Sequence, residues 1–339
     1  MPTTERELDK LLSEPRPATV EALARVPGDI VVLGAGGKMG PTLAACARRA
    51  TAGARHPRRV IAVSRFSSAA SRRALEDAGV ETVSCDLLDR DAVATLPDAP
   101  NAIFMAGQKF GTTDAPSRTW MMNVVVPAIC AERYASSRIV AFSTGNVYPL
   151  VPVASGGATE ATTVAPVGEY AQSCVGRERV FEHYAATRGT RVAIVRLNYA
   201  IDLRYGVLTD LAVKVAKGVP ISLAMGHVNV VWQGDANRVA LEMLPRAASP
   251  PYLLNVTGTE TLAVRDLATA LGERLGRSPV FDGTESRDAL LSSASKMCAE
   301  FGAPSTSLST MLDWVAEWVR EGRPLLGKAT QFETRTGVF

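Results

Sequence analysis

Residues 29–49 read DIVVLGAGGKMGPTLAACARR, and this stretch indicates the fold class. A short apolar run is followed by a glycine-rich turn and an alanine-rich segment, which predicts a strand, a loop and a helix. The glycines follow the pattern G-x-x-G-x-x-G. The first permits a tight turn, the second lets backbone approach a pyrophosphate, and the third allows close packing of the helix on the strand. Because free N–H groups at a helix start bind phosphate, the sequence predicts a dinucleotide site. Its loop residues are Gly34, Gly37, Lys38, Met39 and Gly40.

The alternation of apolar runs with helical segments continues to about residue 200. The predicted strands are DIVVLGAG, RRVIAVSRF, ETVSCDL, NAIFMAGQ, RIVAFSTGNVY and RVAIVRLNYA, with YLLNVTG later in the chain. Strands that alternate with helices indicate a parallel sheet with helices on both faces, and nearly continuous apolar runs are typical of its strands. We therefore predict an α/β fold with a doubly wound parallel sheet and a smaller C-terminal substrate-binding region.

The pattern changes after about residue 200, which indicates a second region. The expected parts are an N-terminal helical extension (1–27), a dinucleotide-binding Rossmann domain (28–200, with 229–257 returning to it), a substrate-binding region (201–228 and 258–330) and a tail (331–339). The tail is compatible with an edge strand, a dimer arm or a loose end, and the sequence does not distinguish these.

Composition limits the classes of partner. The chain has 339 residues and a formal net charge of +3, which is too small to indicate nucleic acid by itself. Five cysteines are dispersed without a C-x-x-C pair and three histidines are scattered, so no metal site is predicted. Dispersed cysteines fit a reducing compartment, and the sequence has no run of about 18 apolar residues that would indicate a membrane span. We expect a cytoplasmic protein with a small-molecule substrate and with no metal, nucleic-acid or membrane partner.

The second predicted strand ends at Ser64 and Arg65, where an acidic residue would accept a hydrogen bond from the ribose of NAD. In this chain Arg65, together with Lys38 from the glycine loop, would suit the 2′-phosphate of NADP. The sequence therefore favours NADP over NAD, with Ser64 and Arg65 as cofactor-binding residues. The alternative is that Arg65 is a solvated loop residue.

Further motifs follow the glycine loop in the order SCDLLD, IFMAGQ, MMNVVVPA, FSTGNVYP and GEYAQSC. With these motifs, the chain from about residue 29 to 302 resembles the extended short-chain dehydrogenase/reductases, the NAD-dependent epimerase/dehydratase family. The resemblance implies that Tyr170 is the catalytic tyrosine and Thr144 the catalytic hydroxyl, with Ser143 beside it. It also implies further cofactor-binding residues, namely Asp86 and Leu87 at the adenine, Ala106 and Gly107 beside the nicotinamide ribose, and Asn123 in the helix that follows.

The chain departs from the family pattern in three places. The usual Tyr-x-x-x-Lys is replaced by Tyr-x-x-x-Cys, from Tyr170 to Cys174. The segment VRLNYAIDLRYG lacks the common Asn-x-Tyr-Gly-Pro turn, and Val228 lies nearest to the position at which many nucleotide-sugar members have an arginine. A nucleotide-sugar substrate is therefore less expected than a small polar carbonyl compound, such as a sugar or sugar acid. We expect Asn146 near this substrate and Arg204 in contact with an anionic group.

The missing lysine has a physical consequence for Tyr170. A tyrosine has an ordinary pKa of about 10, and lowering it to about 7 requires roughly 4 kcal/mol, much of which a nearby ammonium supplies. Three alternatives follow: another cation enters, with Lys109 as the candidate; Tyr170 acts mainly as an acid in carbonyl reduction; or the protein binds dinucleotide with little turnover. Cys174 is interpreted as a small packing residue, and a reactive thiol beside Arg177 is the alternative.

The resemblance implies an NAD(P)-dependent oxidoreductase or epimerase that acts on a hydroxyl or carbonyl carbon. The competing hypothesis is a catalytically weak or inactive NADP-binding regulatory protein. Because members of the family often dimerise through two helices, we also expect a homodimer that uses the helices near residues 117–135 and 168–187.

Overall fold

A parallel sheet of seven strands forms the centre of the protein. The computed structural model describes residues 1–53, 58–111, 114–328 and 330–338. Its strands are β1 (Ile30–Leu33), β2 (Val60–Ser64), β3 (Glu81–Ser84), β4 (Asn101–Phe104), β5 (Arg138–Thr144), β6 (Val151–Pro152), β7 (Arg191–Leu197), β8 (Ala200–Ile201), β9 (Ile221–Ser222), β10 (His227–Val228), β11 (Val231–Trp232), β12 (Tyr252–Val256), β13 (Leu262–Ala263), β14 (Phe281–Asp282) and β15 (Asp288–Ala289). The order across the central sheet is β12-β7-β5-β4-β1-β2-β3.

Helices cover both faces of this sheet and form a second layer beyond its carboxyl edge. They are α1 (Glu5–Leu12), α2 (Pro17–Ala24), α3 (Gly40–Ala50), α4 (Ala69–Asp77), α5 (Arg90–Ala94), α6 (Pro116–Trp120), α7 (Val126–Arg133), α8 (Gly168–Arg188), α9 (Val207–Lys217), α10 (Gln233–Glu242), α11 (Val264–Leu275), α12 (Ser295–Phe301) and α13 (Leu308–Arg320). A π-helical turn, Met121–Val125, joins α6 to α7, and short 3₁₀ turns occupy Gly145–Val147, Val153–Ser155 and Leu244–Arg246.

The alternation of side chains along β1 explains why this strand is apolar throughout. Ile30 and Val32 pack into the layer formed by α2, α3 and α10, whereas Val31 and Leu33 pack into the layer formed by α5, α7 and α8. All four side chains are buried. Burying an aliphatic side chain stabilises the fold by about 1.5–3 kcal/mol, so a polar residue at any of these four positions would be unfavourable.

A second core lies under the chain after residue 200. Helices α9, α11 and α13 pack around it, and Leu8 and Leu12 of α1 enter it from the N-terminal extension. The extension is also fixed by Arg16, whose guanidinium pairs with Glu242 of α10 at 2.5 Å. The N-terminal helices are therefore packed against the body of the protein.

The predicted α/β fold class is confirmed, and the six runs predicted as strands before residue 200 all lie in the central sheet. The later run YLLNVTG forms β12, which pairs with β7 at one edge. The division into domains stays a prediction. Within the described ranges, no helix combines the length and the apolar character needed to cross a membrane.

Candidate active site

A pocket opens where the strand order of the sheet reverses, beyond the carboxyl ends of β1 and β4. In doubly wound sheets this is the place where ligands bind. The pocket has a volume of about 190 Å³. It brings together several of the predicted residues with others from the second region, among them Lys38, Lys109, Thr144, Tyr170, Tyr205 and Thr330.

The glycine loop and the loop after β4 are so close at Gly34 that no side chain fits between their backbones. Gly34 has a φ of +86°, and a Cβ at this position would lie 2.5 Å from the backbone nitrogen of Ala106. A Cβ on Gly40 would lie 2.3 Å from the carbonyl oxygen of Ala35, so α3 begins directly against the loop. The first turn of α3 has no acidic residue and no side-chain cap. This arrangement fits the phosphates of a dinucleotide, which Gly37 and the start of α3 would hold.

Four predicted cofactor residues lie at the carboxyl ends of β2 and β3. The Ser64 hydroxyl faces the glycine loop, because a Cβ on Gly36 would lie 2.5 Å from its oxygen. Arg65 is exposed, and its Nη1 is 4.0 Å from Oδ2 of Asp86. Leu87 is buried. The structure therefore places an acidic side chain beside Arg65, although the sequence immediately after β2 has none.

Lys38 lines the pocket and Arg65 does not, so the predicted pairing of the two at a 2′-phosphate is corrected. Its ammonium enters the pocket, 3.0 Å from the ring centroid of Tyr205 and 5.1 Å from that of Phe110. Burial lowers the pKa of Lys38 to about 7, and the positive charges of Lys109 and Lys328 contribute to this lowering. The side chain turns inward because the Tyr205 ring offers its face to the ammonium.

Asn123 holds the loop after β4 in place. Its Oδ1 accepts from the backbone N–H of Gln108 at 2.8 Å and from Arg177 at 2.7 Å. Its Nδ2 donates to the Gln108 carbonyl and to the Ser173 hydroxyl, each at 2.9 Å. An amide has two donor and two acceptor positions, and all four are used here. The sequence predicts Asn123 as a cofactor-binding residue, but its amide has no remaining capacity for a direct hydrogen bond to a cofactor.

Tyr170 and Thr144 meet at the base of the pocket, and their hydroxyls are hydrogen-bonded to each other. The Thr144 hydroxyl has one proton, and its oxygen lies 3.0 Å from an acceptor at Oδ1 of Asn146 and accepts from the Asn146 backbone N–H. Burial raises the pKa of Tyr170, and the neighbouring Cys174 raises it further. The Arg177 guanidinium and the Thr144 hydroxyl lower the same pKa. The phenol is therefore neutral at rest.

Two cations surround this phenol from positions other than that of the missing lysine. The Lys109 ammonium lies 5.9 Å from the Tyr170 ring centroid and donates to the Thr330 carbonyl at 3.3 Å. Burial lowers the pKa of Lys109 to about 8, so it is mostly protonated at neutral pH. Arg177 is buried on the same helix as Tyr170, and its Nη1 donates to the Phe142 carbonyl at 2.8 Å.

Cys174 is fully buried in a small apolar cluster with Val147, Tyr148 and Leu291. Burial raises the pKa of its thiol, although Arg177 and the hydrogen bond with Tyr170 lower it. A reactive thiol needs exposure and a stabilised thiolate. The environment of Cys174 has neither, and it supports the interpretation as a packing residue.

The hydroxyl of Ser143 is hydrogen-bonded to a buried carboxylate and not directed to a ligand in the pocket. Its Oγ donates to Oε1 of Glu178 at 2.5 Å, and Glu178 pairs with Arg196 at 2.7 Å. Arg196 in turn donates to the Tyr148 hydroxyl at 2.8 Å. Ser143 lines the pocket wall, but its hydroxyl belongs to this buried network that joins β5, α8 and β7.

Arg204 does not face the substrate pocket, and its predicted contact with an anionic group of the substrate is corrected. Its guanidinium pairs with Asp202 at 3.0 Å, with Asp9 at 2.8 Å and with Glu5 at 3.6 Å. The two carboxylates from α1 draw the arginine away from the pocket and link the N-terminal extension to the second region.

Residues 330–338, here called the strap, begin at the wall of the pocket, to which Thr330 contributes. The Phe332 side chain is buried in the second core, and Thr330 forms part of the pocket wall. The contacts of the strap are Thr330 with Asp210, Glu333 with Lys214, Arg335 with Asp288, and Gly337 with Val167. The described part of the predicted tail therefore packs against its own chain, whereas Phe339 lies outside the described residues.

Sequence reasoning missed the positions of several pocket residues. The sequence indicates Arg177 only as a neighbour of the Cys174 thiol. Arg177 nevertheless follows Tyr170 by seven residues, which places the two side chains on the same face of the helix. Tyr205, Asp210 and Thr330 carry no motif, and only the folding of the second region brings them to the pocket or its wall.

The sequence profile of the NAD dependent epimerase/dehydratase family matches residues 30–214, which is more than half of the chain. The chain belongs to this family. The resemblance inferred from the motifs and the predicted class, an NAD(P)-dependent oxidoreductase or epimerase, are thereby confirmed. A comparison with curated protein sequences found no match.

Many solved structures are similar in fold to this family member. UDP-glucose 4-epimerase from Thermotoga maritima, in complex with UDP-glucose, has a TM-score of 0.70 at 17% identity, over 87% of this chain and 99% of that one. The Thermus thermophilus enzyme of the same name, in complex with NAD, has a TM-score of 0.71 at 20% identity, over 86% and 99%. UDP-glucuronic acid 4-epimerase from Bacillus cereus, with UDP-glucuronic acid and NAD, has a TM-score of 0.72 at 17% identity, over 86% and 99%. At these identities the likeness establishes the fold.

Replacing Cys174 by lysine should not restore the usual family arrangement. The residue is fully buried and the Arg177 guanidinium lies one turn away, so an ammonium there would be desolvated beside a second cation. We expect Cys174→Lys to lower the free energy of unfolding by about 3–5 kcal/mol, measured by urea denaturation. Cys174→Ala is the control for lost packing and should lower it by about 1 kcal/mol. A lysine variant of wild-type stability would show that this position can still hold the cation.

Proposed function

We propose that this protein is a dinucleotide-dependent oxidoreductase or epimerase that acts on a hydroxyl or carbonyl carbon of a small polar substrate, a sugar or sugar acid. The observation that carries the proposal is the hydrogen-bonded pair of Thr144 and Tyr170 at the base of the pocket, with the Lys109 ammonium close to the tyrosine ring. When bound, a nicotinamide cofactor would supply the hydride acceptor or donor.

The residues of the pocket divide the remaining work. Thr144 would hold the substrate oxygen, and Tyr170 would give that oxygen a proton or take one from it. Since burial keeps the phenol neutral, proton donation during carbonyl reduction is the favoured direction. For the reverse direction a phenolate must form, and the charges of Lys109 and Arg177 would lower its energy. In this proposal both of these cations replace the lysine that is absent at position 174.

The size of the pocket supports a small substrate. Sites for small ligands usually enclose about 300–1,000 Å³, and this pocket has about 190 Å³, with Thr330 of the strap in its wall. Similar structures contain UDP-sugars, but those are complexes of other proteins, 17% identical to this chain. The competing proposal, a regulator that binds dinucleotide without turnover, gives no reason for the Thr144–Tyr170 pair.

Tyr170→Phe tests the catalytic proposal. It removes the hydroxyl that exchanges the proton, so we expect kcat to fall by about 10²–10⁴ with dinucleotide affinity unchanged. The assay follows nicotinamide absorbance across a panel of sugars, sugar acids and aldehydes, and chromatography detects epimers formed without net change of cofactor. Tyr184→Phe, on the same helix but away from the pocket, is the matched control and should retain full activity. Wild-type turnover by Tyr170→Phe would contradict the proposal.

We further propose NAD in preference to NADP, which reverses the preference drawn from the sequence. With Lys38 in the pocket, Arg65 is the cation that remains at the end of β2, and Asp86 is 4.0 Å from it. An acidic side chain there would accept a ribose hydroxyl and would repel a 2′-phosphate.

Fluorescence titration with NADH and NADPH tests this choice. We expect NADH to bind at least as tightly as NADPH, and Arg65→Ala to change neither dissociation constant by more than about threefold. Arg72→Ala, an exposed arginine of α4, is the control. If wild type binds NADPH more tightly than NADH, and if Arg65→Ala loses this preference while Arg72→Ala keeps it, the cofactor is NADP instead.

We also propose that the protein forms a homodimer through the face shared by α6, the π-helical turn and the start of α8. Three large apolar side chains are exposed there, Trp120, Met121 and Val167, with exposed fractions of 38%, 43% and 47%. Light scattering should give twice the mass of one chain. Met121→Glu should give the monomer, whereas Val280→Glu, which changes an exposed valine elsewhere, should not. A monomeric wild type would refute the proposal.

A further inference from the structure

We propose that Lys38 binds the carboxylate of a small acidic substrate. This inference rests on the proposed function, because it places the acid in the same pocket as Tyr170. It narrows the substrate class from small polar compounds to acids.

The first observation is the place of the Lys38 side chain. It leaves the glycine loop and enters the pocket, where its ammonium lies 3.0 Å from the Tyr205 ring centroid. In the described part of the chain, no carboxylate lies within ion-pair distance of this ammonium, which instead contacts the rings of Tyr205 and Phe110. A partly buried cation without a carboxylate partner is unfavourable unless a ligand supplies the anion.

The second observation is the charge around Lys38. Lys109 and Lys328 face it with the same sign, and Asp202 and Asp210 are the carboxylates that act on it from a distance. Asp202 is already paired with Arg204, and Asp210 accepts two hydrogen bonds from Thr330. The pocket therefore has an excess of positive charge, which an anionic ligand would neutralise.

The third observation is the small size of the pocket, to whose wall Thr330 of the strap contributes. The strap is held at two points, by the ion pair of Glu333 with Lys214 and by that of Arg335 with Asp288, which is 2.6 Å long. With a volume of about 190 Å³, the pocket suits a single small acid. A carboxylate on Lys38 would lie in the same pocket as the hydroxyls of Thr144 and Tyr170.

Binding should take up a proton. Burial lowers the pKa of Lys38 to about 7, so at pH 8 its amine is mostly neutral and must be protonated to pair with a carboxylate. Affinity is therefore greatest below pH 7 and falls as the pH rises through the pKa of the free lysine. Lys109 also lines the pocket. Burial lowers the pKa of Lys109 to about 8, and the nearby Cys174 and Asp210 oppose this lowering. Proton uptake by Lys109 would persist when Lys38 is replaced. The difference in proton uptake between wild type and Lys38→Met therefore measures the contribution of Lys38.

The experiment is isothermal titration of the full chain, saturated with NADH, in two buffers of different ionisation enthalpy. The probes are D-glucuronate, D-gluconate and D-glycerate, each compared with its uncharged amide. We expect at least one acid to bind about 10- to 100-fold more tightly than its amide at pH 6.5, and to take up close to one proton more at pH 8 than at pH 6. Lys38→Met should lose that preference. Lys38→Arg should retain the preference and lose only the part of the proton uptake that Lys38 contributes, because a guanidinium stays protonated.

Lys217→Met, which removes an exposed lysine at the end of α9, is the matched control and should behave as wild type. The inference is overturned if no acid binds more tightly than its amide, or if Lys38→Met weakens NADH and the acid equally, which would assign the lysine to the cofactor. In either case turnover of an uncharged compound that depends on Tyr170 would leave the proposed function intact. Failure of NADH to bind wild type would instead contradict the proposed function.

Discussion

The arrangement of the active site depends on the hydrogen bonds of the buried Arg177 side chain. It donates to the Phe142 carbonyl of β5 and to Asn123 in the helix after β4, and Asn123 holds both backbone groups of Gln108. One guanidinium therefore fixes three separate segments: the end of β5, the loop after β4 and helix α8. A Cβ on Gly107 would lie 2.5 Å from this guanidinium, so the loop can approach only because that residue is glycine. Since Lys109 belongs to the same loop, its position relative to Tyr170 follows from this arrangement.

The cations of the pocket are held at a cost to stability. Lys38 and Lys109 are desolvated, their charges repel, and burial lowers the pKa of each. Such groups are unfavourable in a folded protein unless packing elsewhere compensates. The two faces of the sheet and the second core supply that compensation, with large buried side chains such as Trp232 and Trp318. The buried ammonium groups of the pocket thus destabilise the fold, and the packing of the surrounding cores offsets this cost.

Sequence predicted the fold well because its signals are local. In residues 29–49 and in the motifs that follow, each strand, turn and helix is specified by residues that are neighbours in sequence. The same motifs predict that Thr144 and Tyr170 lie together, as they do in the structure. The errors concern long side chains. Lys38 and Arg204 can reach in several directions, and their directions are set by Tyr205, Asp9 and other residues distant in sequence or without a motif. The strap was equally unpredictable, because its position depends on ion pairs with residues more than 40 positions away.

The strap is in direct contact with Lys109, the candidate cation of the site. The Thr330 carbonyl accepts a hydrogen bond from the Lys109 ammonium, while the Thr330 N–H and hydroxyl both donate to Asp210 of α9. If the strap moved away, Lys109 would lose this acceptor and gain water, and its influence on the Tyr170 phenol would weaken because water screens charge. In the Tyr-x-x-x-Lys pattern of the family, the lysine follows the tyrosine by four residues, whereas this chain has Cys174 at that position. Here the candidate cation comes from a loop and donates to the strap, so we expect movement of the strap to alter the electrostatic environment of Tyr170.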